Sequence, residues 1–229
     1  MYPPLSIIYQ DEWLVVIDKP AGYLVHPARE PQEGDLVAMK ILRDQIGQRV
    51  HTIHRLDRPT SGVLLMGLEK KVAHQLHKAL EHHEFEKRYW AVVHADPECE
   101  KWENREALSK GDGSEAKVAH TSFQVLQRYE HPQLEGRGSR KVSLLEAIPH
   151  TGRFHQIRRH LLGDGMPIIG DYRYAGVEVS DTLGSLLGTG SRMLLQAKSL
   201  EIDHPVSGER MKFEAPVDSA IQRCFPSLV

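Results

Sequence analysis

His54-Arg55-Leu56-Asp57-Arg58-Pro59-Thr60-Ser61-Gly62 runs without a break into Val63-Leu64-Leu65-Met66. A polar loop punctuated by Pro59 and Gly62 thus leads into a short apolar run. Four residues are too few to assign by period alone, and the setting favours a strand. A loop held in shape just before a core strand is a common place for a site residue. Its one carboxylate, Asp57, is flanked on both sides by guanidinium groups, which favour the ionised form. The plain alternative is a surface Arg–Asp pair in a turn, and residue types alone leave the two readings level.

Working outward, Ile7 to Asp18 is strand material, with Trp13-Leu14-Val15-Val16-Ile17 as a buried run broken by Pro20-Ala21-Gly22. Leu36 to Ile46 has helical spacing, with Leu36, Met39, Leu42 and Ile46 on one side. Ala73, Leu76 and Leu80 mark the apolar stripe of a helix from Lys70 to Glu84. Tyr89 to His94 is rich in aromatic and β-branched residues and predicts a strand. Val118 to Leu126 and Val142 to Ile148 predict two more, with Gly136 and Gly138 in the hairpin loop between them. A short helix from His155 to Leu162 ends at Gly163 and Gly165, and Pro167 bars its continuation. Met193 to Asp203 and Arg210 to Glu214 predict closing strands around a turn at residues 204–208. Strands outnumber helices and often follow one another directly, which predicts an α+β fold with a mixed, mainly antiparallel sheet and flanking helices.

The 229 residues are 40% apolar and 26% charged, ordinary for a soluble globular protein and enough for a substantial core. No apolar run approaches a membrane helix, and the start has no signal-peptide pattern. Cys99 and Cys224 lie far apart, and two free thiols fit a reducing cytoplasm. The formal net charge is -2, so any nucleic-acid site must come from local clustering of cations.

Such a cluster runs from Arg140 to His160. It holds Arg140, Lys141, Arg153, Arg158, Arg159, His150, His155 and His160 against the single acid Glu146. Arginines beside a helix start make a phosphate-binding surface, and the scarcity of acids favours this over a merely solvated face. Lys87-Arg88-Tyr89-Trp90 sets an aromatic beside two cations, suited to base stacking, although residue types alone favour the plainer reading of a Tyr in a half-buried strand. His74, His77, His82 and His83 lack the Glu of a zinc-helix motif, so no metal is expected. Ser61, His54 and Asp57 share one short loop without GxSxG, which argues against a hydrolytic triad.

Taken together, these segments resemble the RluA family of pseudouridine synthases. HRLDRPTSGVLLM at His54–Met66 resembles its signature loop. DKPAG at Asp18–Gly22 with His26, KRYWAVV at Lys87–Val93, and TGRFHQIRRHL at Thr151–Leu161 followed by PIIGDYRYAG at Pro167–Gly176 resemble its other motifs, in order. The resemblance implies a single catalytic domain over 1–229 without the N-terminal S4 domain of some relatives, and a cofactor-free, metal-free, redox-neutral isomerisation of uridine in RNA. It implies Asp57 as the catalytic carboxylate, Tyr89 as the residue stacked on the base and Arg158 as the basic partner of Asp57. Arg55 would fill the space of the flipped uridine, and Arg153, His155, Arg140 and Lys141 would bind RNA. Arg43 to Leu68 is similar to a tRNA-modifying branch, which implies a tRNA substrate and the T-stem uridine numbered 65. A ribosomal or dual substrate, or an idle RNA-binding module, are the alternatives. Phe154, Arg159 and Gln196 depart from the common pattern.

Overall fold

The structure is a computed structural model that describes residues 3–28, 30, 32–110, 113–134 and 139–228. Along the chain come β1 (Ser6–Gln10), β2 (Leu14–Lys19), α1 (Ala38–Ile46), β3 (His51–Thr52), β4 (Ser61–Gly67), α2 (Lys70–Glu81), β5 (Glu86–Val93) and β6 (Lys101–Asn104). There follow β7 (Thr121–Glu130), β8 (Lys141–Pro149), α3 (Gln156–Gly163), α4 (Val177–Leu186), β9 (Leu195–Asp203), β10 (Arg210–Glu214) and α5 (Ser219–Cys224). The fold is α+β with mainly antiparallel strand pairing, as the sequence predicts. The expected loop at Gly136 and Gly138 lies outside the described residues.

Two compact units divide the chain. The first takes Met1–Lys87 and Ala197–Pro216, and the second Arg88–Gln196 and Val217–Val229. In the first unit β2 pairs antiparallel with both β1 and β4, β3 pairs with β4, and β10 pairs with β9. Leu14, Val16, Val63 and Leu65 pack with Val72, Ala73 and Leu76 of α2 and with Ile202 and Phe213. The alternate residues Val15, Ile17, Leu64 and Met66 are buried as well. β2 and β4 are therefore covered on both faces, which is why they appear in the sequence as unbroken apolar runs rather than alternating patterns.

In the second unit the order is β5-β8-β7-β6, antiparallel throughout. Period-two alternation sends Val92, Val142 and Leu144 to one face, against Leu183 of α4 and Ile221 and Cys224 of α5. Ala91, Val93, Leu145 and Ala147 go to the other face, against Ile157 and Leu161 of α3. Each buried Val, Leu or Ile among them contributes about 1.5–3 kcal/mol relative to exposure.

Several boundaries move for local reasons. α1 starts at Ala38 because Val37 is extended and forms a bridge with Leu24. Its buried face is Ala38, Ile41 and Leu42, not the expected stripe through Leu36 and Met39. α2 stops three residues before Glu84 because His83 takes φ 61 and turns the chain toward the buried Phe85. β7 begins at Thr121 and runs past Leu126, where a register shift between Val125 and Gln127 inserts an extra residue. That bulge reverses the alternation, which hid the second half of the strand. β3, β6, α4 and α5 are additional to the predicted elements.

Two glycines separate close approach from simple turn geometry. At Gly62, φ is +107 and an added Cβ would lie 2.1 Å from the backbone oxygen of Ala197. At Gly47, the left-handed C-cap of α1, φ is +65 with no heavy atom within 4 Å of an added Cβ. Gly47→Ala should therefore cost about 1 kcal/mol. Gly62→Ala should cost at least about 3 kcal/mol, because β4 and β9 must separate. Urea unfolding of both variants checks the order; equal costs would refute the close approach.

Candidate active site

The Asp57 loop is set by what precedes and follows it. β3 pairs with β4 only through His51 and Thr52. Beyond Thr52 the chain leaves the ladder, and the Leu65 N–H donates instead to His54 Nε2 at 3.0 Å. Ile53 and Leu56 are buried, Arg55 is exposed and Asp57 is half-buried. The Thr60 N–H donates to the Asp57 carbonyl at 3.1 Å and closes a tight turn around Arg58 and Pro59.

Lys19 fastens this turn to the Asp18–Gly22 motif. Its side chain is 0% exposed, and Nζ donates to the carbonyls of Pro20 (2.9 Å), Tyr23 (3.0 Å) and Arg58 (3.3 Å). The Gly22 N–H also donates to the Arg58 carbonyl at 2.8 Å, and Arg58 Nε donates back to the Gly22 carbonyl at 3.0 Å. Arg58 Nη1 lies 3.2 Å from Asp35. Of the two guanidiniums that flank Asp57 in sequence, Arg58 is thus a tether to the neighbouring loop. His26, in the same motif, is exposed, with Nδ1 3.1 Å from the carbonyl of Pro27.

Tyr89 and Arg158 belong to the second unit. Tyr89 is half-buried on β5, paired opposite Ala147, and packs against the cluster that includes Ile157. Its neighbour Arg88 reaches Glu146 at 2.9 Å. Arg158, on α3, is 5% exposed, and its Nε and Nη2 grip the two oxygens of Asp171 at 2.7 Å each. A fork-to-fork pair of this kind fixes the plane of the guanidinium. Tyr174 lies under it at 5.0 Å.

The approach to α3 is locked by Gln156. Its amide donates to the His120 carbonyl and Thr121 Oγ1 at 2.9 Å, and its oxygen accepts from Thr151 Oγ1 and the Arg153 N–H. His160 is buried between Thr121 Oγ1 and the Glu106 carbonyl. His155 sits at φ 52 at the start of α3, with Nδ1 3.0 Å from the Tyr174 hydroxyl. The exposed Phe154 ring stacks on the His155 ring at 3.7 Å.

The Arg140–His160 strip is consequently not one exposed basic face. Arg158 and His160 point inward, Arg159 bonds the Ser109 carbonyl at 2.6 Å, and Lys141 reaches Asp96 at 2.7 Å. Arg153 is exposed, with Nε on the Val118 carbonyl, and Arg140 is exposed as well. Gln196 is buried, and its oxygen accepts from the Asp218 N–H. Sequence reasoning missed Lys19, Asp171 and Gln156. The available signal for Lys19 was a cation ending an otherwise apolar strand just before Pro-Ala-Gly. Among the described residues, no group of three or more His, Cys, Asp or Glu is placed to hold a metal. No helix among them is long and apolar enough to cross a membrane.

His54 links this geometry to pH. Nε2 can accept from Leu65 only with its lone pair, so the ring is neutral with its proton on Nδ1. Burial, then the Lys87 ammonium, push the imidazole down to about 3. Between pH 7.5 and 5.5 the unfolded imidazole, titrating at about 6.5, gains a proton that the folded one refuses. Stability must fall with pH across this window, and His54 should account for about 1.4 kcal/mol of the fall. His54→Gln keeps an acceptor but cannot titrate, so its urea-unfolding free energy should decline less. Identical declines in wild type and variant would remove His54 from this role.

The family model described as RNA pseudouridylate synthase matches residues 13–162, which contain the Asp57 loop, Tyr89 and Arg158. A tRNA pseudouridine synthase C of Pectobacterium carotovorum is 40% identical over 95% of this chain, which spans 60% of that relative's length. The protein of the same name from Yersinia pestis is 38% identical over 95% of this chain and 88% of its own length. The solved structure of human RNA pseudouridylate synthase domain containing 1 shares the fold, with a TM-score of 0.74, 24% identity, and coverage of 95% of this chain and 86% of that one. With the match spanning most of the chain and reaching both units, the protein belongs to the RNA pseudouridylate synthase family.

Proposed function

We propose that this protein converts uridine to pseudouridine in tRNA. The observation that carries the reading is the rigidly tethered loop presenting a half-buried Asp57 within the region matched by the family. The relatives named as tRNA pseudouridine synthases favour tRNA over ribosomal RNA. The T-stem uridine numbered 65 is the proposed target within it.

In this reading Asp57 acts at the ribose, as nucleophile or as base. The N1–C1′ bond breaks, the uracil turns while held, C5 bonds to C1′, and the C5 proton leaves as N1 gains one. Tyr89 stacks on the base and assists removal of the C5 proton. Arg158, whose guanidinium is oriented by Asp171, is the proposed basic partner of Asp57. Arg55, exposed beside Asp57, fills the gap left by the flipped uridine, a step that costs a few kcal/mol of unstacking. Arg153, His155, Arg140 and Lys141 add contacts to the RNA; Lys141 contributes after exchanging Asp96 for phosphate.

Wild type should release tritium from 5-tritiated uridine in a tRNA transcript, because C5 loses its hydrogen in the isomerisation. Asp57→Asn keeps the shape and removes the carboxylate, so release should vanish while tRNA binding persists, affinity resting mainly on phosphate contacts. Turnover by a clean Asp57→Asn preparation would defeat the assignment.

The substrate is tested separately. A transcript with cytidine in place of the T-stem uridine 65 should bind equally and yield no pseudouridine. Modification of ribosomal fragments with tRNA left untouched would overturn the tRNA reading and spare the enzyme class.

A further inference from the structure

The first unit holds an open groove of about 1110 Å³ whose lining does not include the Asp57 loop. α1 and α2 form its walls and β3 its floor. α1 presents Lys40 and Arg43 to it and its C-cap Gly47 follows, and α2 presents Lys70, His74 and His77. Both sets follow i, i+3 or i+4, i+7 spacing, so each helix offers one continuous stripe. Arg49 joins them from the segment between α1 and β3.

The charge is one-sided. Lys40, Arg43, Arg49 and Lys70 face the groove against one acid, Asp44, which Arg43 already pairs at 2.8 Å. Lys40, Arg49, Lys70, His74 and His77 are all exposed. The field is felt by His51 on the floor. Its imidazole is held below the usual value first by burial and then by Arg49 and Lys70. This concentration of cations stands in a chain whose formal net charge is -2.

The lining also decides the kind of ligand. Pockets for small metabolites are mostly apolar and aromatic and run to about 1,000 Å³. Here the apolar lining is limited to Met39, Val50 and Ala73, with no Phe, Tyr or Trp. Four long cations, Lys40, Arg43, Arg49 and Lys70, spread along an open groove suit an extended polyanion. The floor also leads directly to the catalytic loop. Thr52 precedes Asp57 by five residues, a span of at most about 17 Å even if fully extended.

We propose that this groove binds the phosphodiester backbone of the RNA substrate and is a second docking surface beside the Asp57 loop. The proposal rests on the reading of the protein as an RNA pseudouridine synthase. It gives the first unit its own grip on the RNA, separate from the residues around α3. Contacts of this kind recognise the path of the backbone rather than base identity.

The test compares Lys40→Gln/Arg49→Gln with Lys71→Gln/Lys78→Gln, which removes equal charge from the stripe of α2 outside the groove. Each protein is titrated with folded tRNA transcript at several salt concentrations, with turnover measured in parallel and thermal unfolding confirming the fold. The groove variant should bind roughly tenfold more weakly, and its salt slope should fall by about 1.5, as expected for two lost phosphate contacts. Its kcat at saturating tRNA should match wild type, and the control variant should bind nearly as wild type does. Unchanged binding by the groove variant, or an equal loss in the control, would overturn the groove. A wild type that binds tRNA but forms no pseudouridine would overturn the functional reading, while the binding comparison would still decide the groove.

Discussion

The ammonium of Lys19 is the constraint on which the arrangement of the Asp57 loop depends. It is fully buried at the end of β2 and donates to three carbonyls from two separate loops. Moving such a charge out of water costs several kcal/mol unless its donors are satisfied. The Pro20–Tyr23 segment and the Arg58 carbonyl therefore have to close around it. Once they do, Gly22 and Arg58 exchange a reciprocal pair of hydrogen bonds, and the turn carrying Asp57 has little freedom left. Two segments 36 residues apart in sequence act as one rigid support.

The second unit uses the same principle with different chemistry. Gln156 connects four polar groups, His160 connects two, and Asp171 takes both forks of Arg158. Buried polar groups of this kind are costly if any partner is missing and rigid if all are present. Their effect is to define where α3 starts and which way the Arg158 guanidinium faces. Tyr174 beneath that guanidinium and His155 beside Tyr174 extend the support toward the exposed Phe154. A Phe at this position places an aromatic surface at the edge of the motif.

The cations are segregated by the fold, which overall composition does not reveal. The cations of the Arg140–His160 strip divide between interior partners and surface, while the first unit gathers exposed cations between α1 and α2. A chain with a formal net charge of -2 can therefore still offer a local field suited to RNA.

The sequence by itself determined what short-range pattern can encode. The apolar run after Gly62 became β4, the stripe through Ala73 and Leu76 became α2, and the segments flanking residues 204–208 paired as β9 and β10. The loop with Asp57 stood out because a polar cluster abutting a core strand is visible without coordinates. Tertiary structure alone decided the rest. Arg58 looks like a partner for Asp57 in sequence, yet it turns to Gly22 and Asp35 because the buried Lys19 draws those loops together. The bulge at Leu126 erased the alternation of β7, and Arg158 and His160 in a seemingly basic strip were drawn inward by Asp171 and Thr121. The physical reason is common to all of these. A residue's type fixes which partners it can accept, and only the packed chain fixes which of them is within reach.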